Sequence, residues 1–221
     1  MGLEVLELGS VEYGAALELQ EKRVEARRSG AAGDVLLLLE HPPVITLGRR
    51  ADTAHVLASP ASLAARGIGL HTVTRGGDVT FHGPGQLVGY LVVDLAARGV
   101  PDVHAFLRSL ESALLEALGE LGVPAETRPG WTGVFVRPRE GEGGPPRKIA
   151  SIGVGVRGWV TYHGFALNVT LDPAAFADIV PCGLHQVQMT SLARELGPAA
   201  PRDLDARARD AVRRAFQRSW S

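Results

Sequence analysis

From Trp131 to Val169 the chain reads WTGVFV, KIASIGVGV and WVTYHGFALNV: three apolar runs rich in β-branched and aromatic residues. Glycine- or proline-containing joints separate them, and no helical period intervenes. Successive strands with no alternating helices exclude a doubly wound parallel sheet. DVLLLLEH (34–41) reads as a strand buried on both faces, followed by a short strand around Val44–Leu47. LHTVTR (70–75) and QLVGYLVVDL (86–95) are strands on either side of a glycine-rich loop. Helical spacing appears over 11–28, with Ser10 as N-cap, weakly over 53–66, over 102–121 and over 201–217. The clearest stripe is Val103, Phe106, Leu107, Leu110, Leu114, Leu118 and Leu121; the last helix turns Leu204, Ala208, Val212 and Phe216 inward. RPREGEGGPP (137–146) with Arg147 has the composition of a flexible hairpin loop. The expected fold is α+β, a mixed sheet with flanking helices on one side. A length of 221 residues suits one domain over 1–221.

Bulk properties exclude several function classes. A net charge of −1 gives no overall electrostatic case for nucleic acid or an anionic membrane. No apolar run approaches the ~18–20 residues of a membrane span, and MGLEVLELGS has no signal-peptide pattern. The single cysteine, Cys182, cannot form an internal disulfide, so a reducing cytoplasm is the expected compartment.

Cys182 stands between Pro181 and Gly183, where bent backbone presents a side chain; a lone cysteine can equally be a small core hydrophobe. Lysine occurs only at Lys22 and Lys148 among 23 basic residues. Lys22 lies in a charged helical stretch. Lys148 opens an apolar strand, and lysine, unlike arginine, can give up its proton. The densest polar cluster is RGGDVTFHGPGQ (75–86), with Arg75, His82 and Gln86 among glycines that let backbone approach a ligand. It is neither a Walker loop nor GxGxxG, so nucleotide binding is unsupported. His82, His163 and Cys182 lack the spacing of a zinc site, so no metal is assigned.

In order, HPPVITLGRR, RGGDVTFHGPGQLVGY, KIASIG, HGFALNV and PCGL resemble the lipoyl(octanoyl) transferases, the octanoyl-carrier-protein:protein N-octanoyltransferases of lipoate synthesis. The resemblance covers about residues 35–195. It implies the fold of the biotin and lipoate protein ligases. It implies Cys182 as acyl-thioester nucleophile and Lys148 as the residue that lowers its pKa. It further implies an acyl-substrate pocket built from Arg75, Gly76, Gly77, Asp78, Val79, Thr80, Phe81 and His82, from Ser151, Ile152 and Gly153, and from Gly164, Phe165 and Ala166. Phe81 stands where the family often has tyrosine, which removes a hydroxyl there. The implied donor is octanoyl-acyl carrier protein. The implied acceptors are lipoyl domains of 2-oxoacid dehydrogenase complexes and the glycine cleavage H protein. No cofactor is implied, no nucleic-acid or membrane partner is indicated, and a monomer is expected.

The physics of the thiol fits that role. A free thiol of pKa ~8.5 is only about 3% ionised at pH 7; at ~6.5 about three quarters is thiolate. Three alternatives stay open on the residues alone: a cysteine hydrolase or thioesterase using His82 or His163, an ATP-dependent lipoate ligase, and a non-catalytic module binding acyl carrier protein.

Overall fold

The computed structural model describes residues 2–138, 141, 143–183 and 186–220, and gives the backbone but not the side chain of Cys182. In chain order the strands are β1 (Glu4–Ser10), β2 (Val35–Glu40), β3 (Val44–Leu47), β4 (Gly69–Thr72), β5 (Val79–His82), β6 (Gln86–Val92), β7 (Ala125–Arg128), β8 (Trp131–Val136), β9 (Arg147–Arg157), β10 (Val160–Asn168) and β11 (Gln188–Met189). The α-helices are α1 (Tyr13–Arg28), α2 (Pro60–Ala65), α3 (Val103–Glu120), α4 (Leu192–Leu196) and α5 (Leu204–Ser219).

Among the described residues the strands form two sheets. The larger runs β1-β2-β6-β10-β9-β8-β7, with β11 added beside the start of β9. β1 and β2 are parallel, as are β9 and β11; the other pairs are antiparallel. This is the mixed sheet expected. The smaller sheet runs β4-β3-β5.

β2 explains the layering. Leu36 and Leu38 join the cluster under α3 and α5, with Leu110, Leu114, Leu118, Val212 and Phe216. Val35, Leu37 and Leu39 join the opposite cluster, under Ala16 and Val24 of α1. Each fully buried aliphatic or aromatic side chain contributes roughly 1.5–3 kcal/mol. β2 is thus buried on both faces, as its unbroken apolar run indicated. The helices, however, cover both faces rather than one, because α1 crosses to the side opposite α3 and α5.

The local chemistry of α3 matches its start. The Asp102 carboxylate accepts from the backbone N–H groups of His104 and Ala105 at 2.7 and 3.1 Å. This satisfies two of the helix's unpaired donors. Several expectations need correction. Ser10 is no cap: it ends β1, and α1 begins at Tyr13 after Glu12, with no side-chain cap. The segment read as one glycine-rich loop contains β5, which pairs with β3. β1, β7 and β11 were not signalled as strands. Of the 137–147 hairpin loop, Arg139, Glu140 and Glu142 lie outside the described residues, as do Leu184 and His185 after Cys182.

Candidate active site

The start of β9 carries Lys148 into the interior. β8 pairs on one side of it, with Phe135 opposite Lys148, and β11 pairs on the other, with Met189 opposite. Thr190 N–H also donates to the Lys148 carbonyl at 2.9 Å. The side chain is buried, and Nζ stands 5.6 Å from the Phe135 ring centroid, a cation–π arrangement. Gly133 makes room for it. A Cβ there would come within 2.7 Å of Lys148 Cε and 2.6 Å of the Ala150 carbonyl, and its φ of +118° is itself foreign to other residues. Buried Glu111 of α3 fixes this glycine by accepting its N–H at 2.9 Å, and Arg108 pairs with the same carboxylate.

Lys148 lies in the wall of an open groove of about 780 Å³. One rim is Arg49 and Arg50 with Gly76, Gly77 and Asp78; the facing rim includes His104, Leu107, Trp131 and Thr132. Arg49 N–H donates to the Arg75 carbonyl at 3.0 Å and Arg50 N–H to that of Gly77 at 3.1 Å, so the arginine loop is stitched to the glycine loop.

Pro181–Gly183 forms a 3-10 turn packed on β5. The turn is anchored on the 53–57 segment: Val180 N–H donates to the His55 carbonyl at 2.8 Å, and Val56 bridges Ile179. Gly183, at φ +66°, sits so close to that segment that a Cβ would reach 2.8 Å from Asp78 Oδ2 and 3.0 Å from the His55 ring. Asp78 in turn bonds His55 Nδ1 at 2.5 Å and accepts from Asp52 N–H at 3.1 Å. The backbone of Cys182 therefore lies next to the glycine loop. Seven residues later, β11 joins the ladder at Lys148.

Behind Gly77, Asp78, Ile152 and Gly153, which also border the groove, a second pocket enters the sheet. Of the residues named from the resemblance, Arg75, Gly77, Asp78, Thr80, His82, Ser151, Ile152, Gly153, Gly164, Phe165 and Ala166 line it. Gly76 lines the groove. Val79 and Phe81 point to the other side of β5, into a separate core with Ile45, Leu63 and Phe176, because strand neighbours alternate. Arg75 is buried and spends its guanidinium on Thr46 and Gly76, with Nη2 at 2.8 Å from both the Thr46 carbonyl and its hydroxyl. It is a pocket residue and not part of the exposed rim.

His82 donates from Nδ1 to Gln86 Oε1 at 2.7 Å. Gln86 donates onward to Asn168 Oδ1 at 2.9 Å, and Asn168 to the Thr190 carbonyl at 2.9 Å. His82 and Gln86 of HGPGQ and Asn168 of HGFALN thus form one buried chain from the pocket wall to Thr190, just after β11. Burial presses the His82 imidazole down to about 3, with the neighbouring His41 adding to it. Among the described residues no group of His, Cys, Asp or Glu side chains is placed to hold a metal.

Three pocket features escaped the sequence reading. Tyr13 and Tyr90 line the wall beside His82. Behind them His41 has Nδ1 at 2.7 Å from the Val11 carbonyl, so that nitrogen donates, and Tyr90 O–H donates to Nε2 at 2.7 Å. Burial raises Tyr13 to about 12 and lowers His41 to about 4, keeping both neutral. Tyr13 and Tyr90 each sit in an apolar helical or strand pattern, so their hydroxyls left no signature. His41 alone had a hint, in the HPP turn that ends β2.

The model of the lipoyl protein ligase A/B catalytic domain matches residues 12–217. An octanoyltransferase of Acidobacterium capsulatum is 48% identical over 89% of this chain and 81% of its own. One of Solibacter usitatus is 50% identical over 85% and 80%. Among solved structures, a bi-partite lipoate protein ligase from Thermoplasma acidophilum aligns with a TM-score of 0.70, covering 99% of this chain and 84% of that one, at 17% identity. That last likeness speaks for the fold, while identity near one half over most of both chains speaks for the family: the chain belongs to the lipoyl protein ligase A/B catalytic domain family, among relatives that are octanoyltransferases.

Proposed function

We propose that this chain, acting as one catalytic domain over 1–221, moves an octanoyl group from acyl carrier protein to the ε-amine of a lipoyl-domain lysine through a thioester on Cys182. The observation that carries the reading is the convergence at Asp78. It borders both the groove that holds Lys148 and the pocket behind it, and the Pro181–Gly183 turn rests on it.

In the first half-reaction the Cys182 thiolate attacks the carbonyl of the carrier thioester. A new C–S bond forms, the bond to the pantetheine sulfur breaks, and the departing sulfur leaves as a thiol by taking a proton from the Lys148 ammonium, which becomes a neutral amine. The buried ammonium of Lys148 favours the thiolate over the thiol. The acyl tail lies in the pocket lined by Thr80, His82, Phe165 and Ala166. In the second half-reaction the acceptor amine attacks acyl-Cys182, a C–N bond forms, the C–S bond breaks to release the Cys182 thiolate, and the amine's surplus proton passes to the Lys148 amine left neutral by the first half-reaction, which restores its ammonium. No ATP enters, because the thioester is already activated. The ligase of the same fold from Thermoplasma acidophilum is described with its E2 lipoyl domain, which supports a lipoyl domain as acceptor here. A mechanism through a free thiol suits a reducing, cytoplasmic setting, and no helix among the described residues is long and apolar enough to cross a membrane.

The test is intact-mass analysis after mixing with octanoyl carrier protein. One added octanoyl group, removed by hydroxylamine and lost to a lipoyl domain as an amide, is expected. Unmodified protein together with free octanoate would point to hydrolysis instead. A fully active Cys182→Ser variant would overturn the covalent route.

A further inference from the structure

His163 is out of step with its strand. Along β10, Val160, Tyr162 and Ala166 face the α1 side, while Phe165 and Leu167 face α3 and α5. Alternation would send His163 with Phe165. Yet its ring packs against Tyr162 and Tyr90 of the α1-side layer, with centroids 5.0 and 6.1 Å away. The reversal comes from the backbone: φ is +58°, a left-handed value that residues with a side chain rarely adopt. Helix α1 clamps it there, since Gln20 Oε1 accepts the His163 N–H at 2.8 Å. Strain of this kind persists only where the surroundings enforce it, and it collects at functional sites.

The reoriented imidazole is buried, and among the described residues neither ring nitrogen has a hydrogen-bond partner. Polar groups kept for architecture normally have one. Burial holds the ring's pKa near 3, so it stands as a neutral wall. It also borders two cavities at once. One is the acyl pocket, entered from the groove past Gly77, Asp78, Ile152 and Gly153. The other lies under α1, lined by Leu17, Gln20, Val24 and Tyr162, with exposed Glu21 and Arg157 also bordering it.

We propose that His163 sets the acyl-chain length this protein accepts: its imidazole is the partition that ends the acyl pocket, and the cavity under α1 is the extension that longer straight chains would fill without it. The proposal rests on the acyl-pocket reading above.

The experiment compares wild type with His163→Gly and His163→Phe, using octanoyl-, decanoyl- and dodecanoyl-pantetheine as donors and a lipoyl domain as acceptor. Glycine tolerates the left-handed backbone and keeps the N–H that Gln20 holds, so it opens the partition with the strand intact; thermal unfolding verifies this. Phenylalanine keeps a ring in place. Each additional buried methylene is worth roughly fourfold. His163→Gly is expected to raise the dodecanoyl-to-octanoyl ratio of kcat/KM at least tenfold, while His163→Phe leaves it near that of wild type. An unchanged ratio in folded His163→Gly overturns the proposal, as does an equal shift in both variants. Wild type inactive with every donor would refute the octanoyl-transfer reading instead. Calorimetric affinities for free octanoate, decanoate and dodecanoate would then decide the partition, with the same tenfold shift in His163→Gly required.

Discussion

Lys148 is one of two lysines in a chain whose other basic residues are arginines, and it is the one whose side chain is buried. If it supplies only positive charge, arginine should serve with a modest loss. If it also takes the amine's proton, arginine cannot, because its pKa stays above ~12. We expect Lys148→Arg to acylate Cys182 at a near-normal rate and to transfer the acyl group at least ~10²-fold more slowly, the usual range for lost general-base help. Single-turnover measurement of each half-reaction separates the cases, with Lys148→Ala removing the charge altogether. Equal slowing of both halves would mean displaced geometry.

The buried histidines make a second prediction at this scale. His41, His82 and His163 have pKa values held down by burial to about 4, 3 and 3. In the unfolded chain each binds a proton near pH ~6.5. Between these values the unfolded state carries more protons, so falling pH favours unfolding. Their contribution is complete above ~6.5 and is lost as pH falls from there towards the folded values, by up to ~1.4 kcal/mol per pH unit for each. Urea midpoints measured from pH 7.5 to 5 should fall steadily below ~6.5, and less steeply in His163→Phe. A flat profile would mean that these rings are not buried as neutral groups.

At the scale of elements, the device that places Lys148 is the contact between β8 and β9. Gly133→Ala would force a Cβ against Lys148 Cε and the Ala150 carbonyl at a backbone angle that alanine avoids. We expect a loss of about 1–3 kcal/mol in stability together with slower acylation of Cys182. Gly122→Ala is the comparison: its φ is also positive, at +77°, but nothing lies within 4 Å of the added Cβ. It should cost about 1 kcal/mol and leave both half-reactions unchanged. Equal kinetic losses in the two variants would remove the link between Gly133 and the lysine. The elements also differ in how openly they announce themselves. The periodic face of α3 and the apolar run of β2 are legible because burial by the whole sheet selects their composition directly. β1 is harder to read: Glu4 and Glu7 interrupt its apolar residues, since it lies at the sheet edge with one side in water. β5 was hidden because four residues between glycine pairs look like a loop until β3 supplies the partner.

Over the whole molecule the charge is nearly balanced, yet the groove rim is not, since exposed Arg49 and Arg50 stand together at its mouth. A donor arriving on an acidic carrier would meet them first. Reversing both to glutamate should raise the apparent KM for octanoyl carrier protein and weaken its salt dependence, with little effect on octanoyl-pantetheine, which has no protein surface. Unchanged kinetics at low salt would place the docking surface elsewhere.

The amino-acid sequence by itself determined the mixed α+β character, the long central strands, the doubly buried β2 and the family, because these depend on periodicity and on ordered motifs. It also singled out Cys182, Lys148 and the glycine loop by residue type. Only the tertiary structure decided that α1 covers the face opposite α3 and α5, and that Arg75 is spent inside the pocket while Arg49 and Arg50 stay on the rim. It alone turned Val79 and Phe81 away from Thr80 and His82, and made Tyr13, Tyr90 and His41 neighbours of the pocket. The physical reason is the same in each case. Periodicity records whether a side chain is buried, while the partner it is buried against comes from strands and helices far away in the chain, as Gln20 of α1 does for His163.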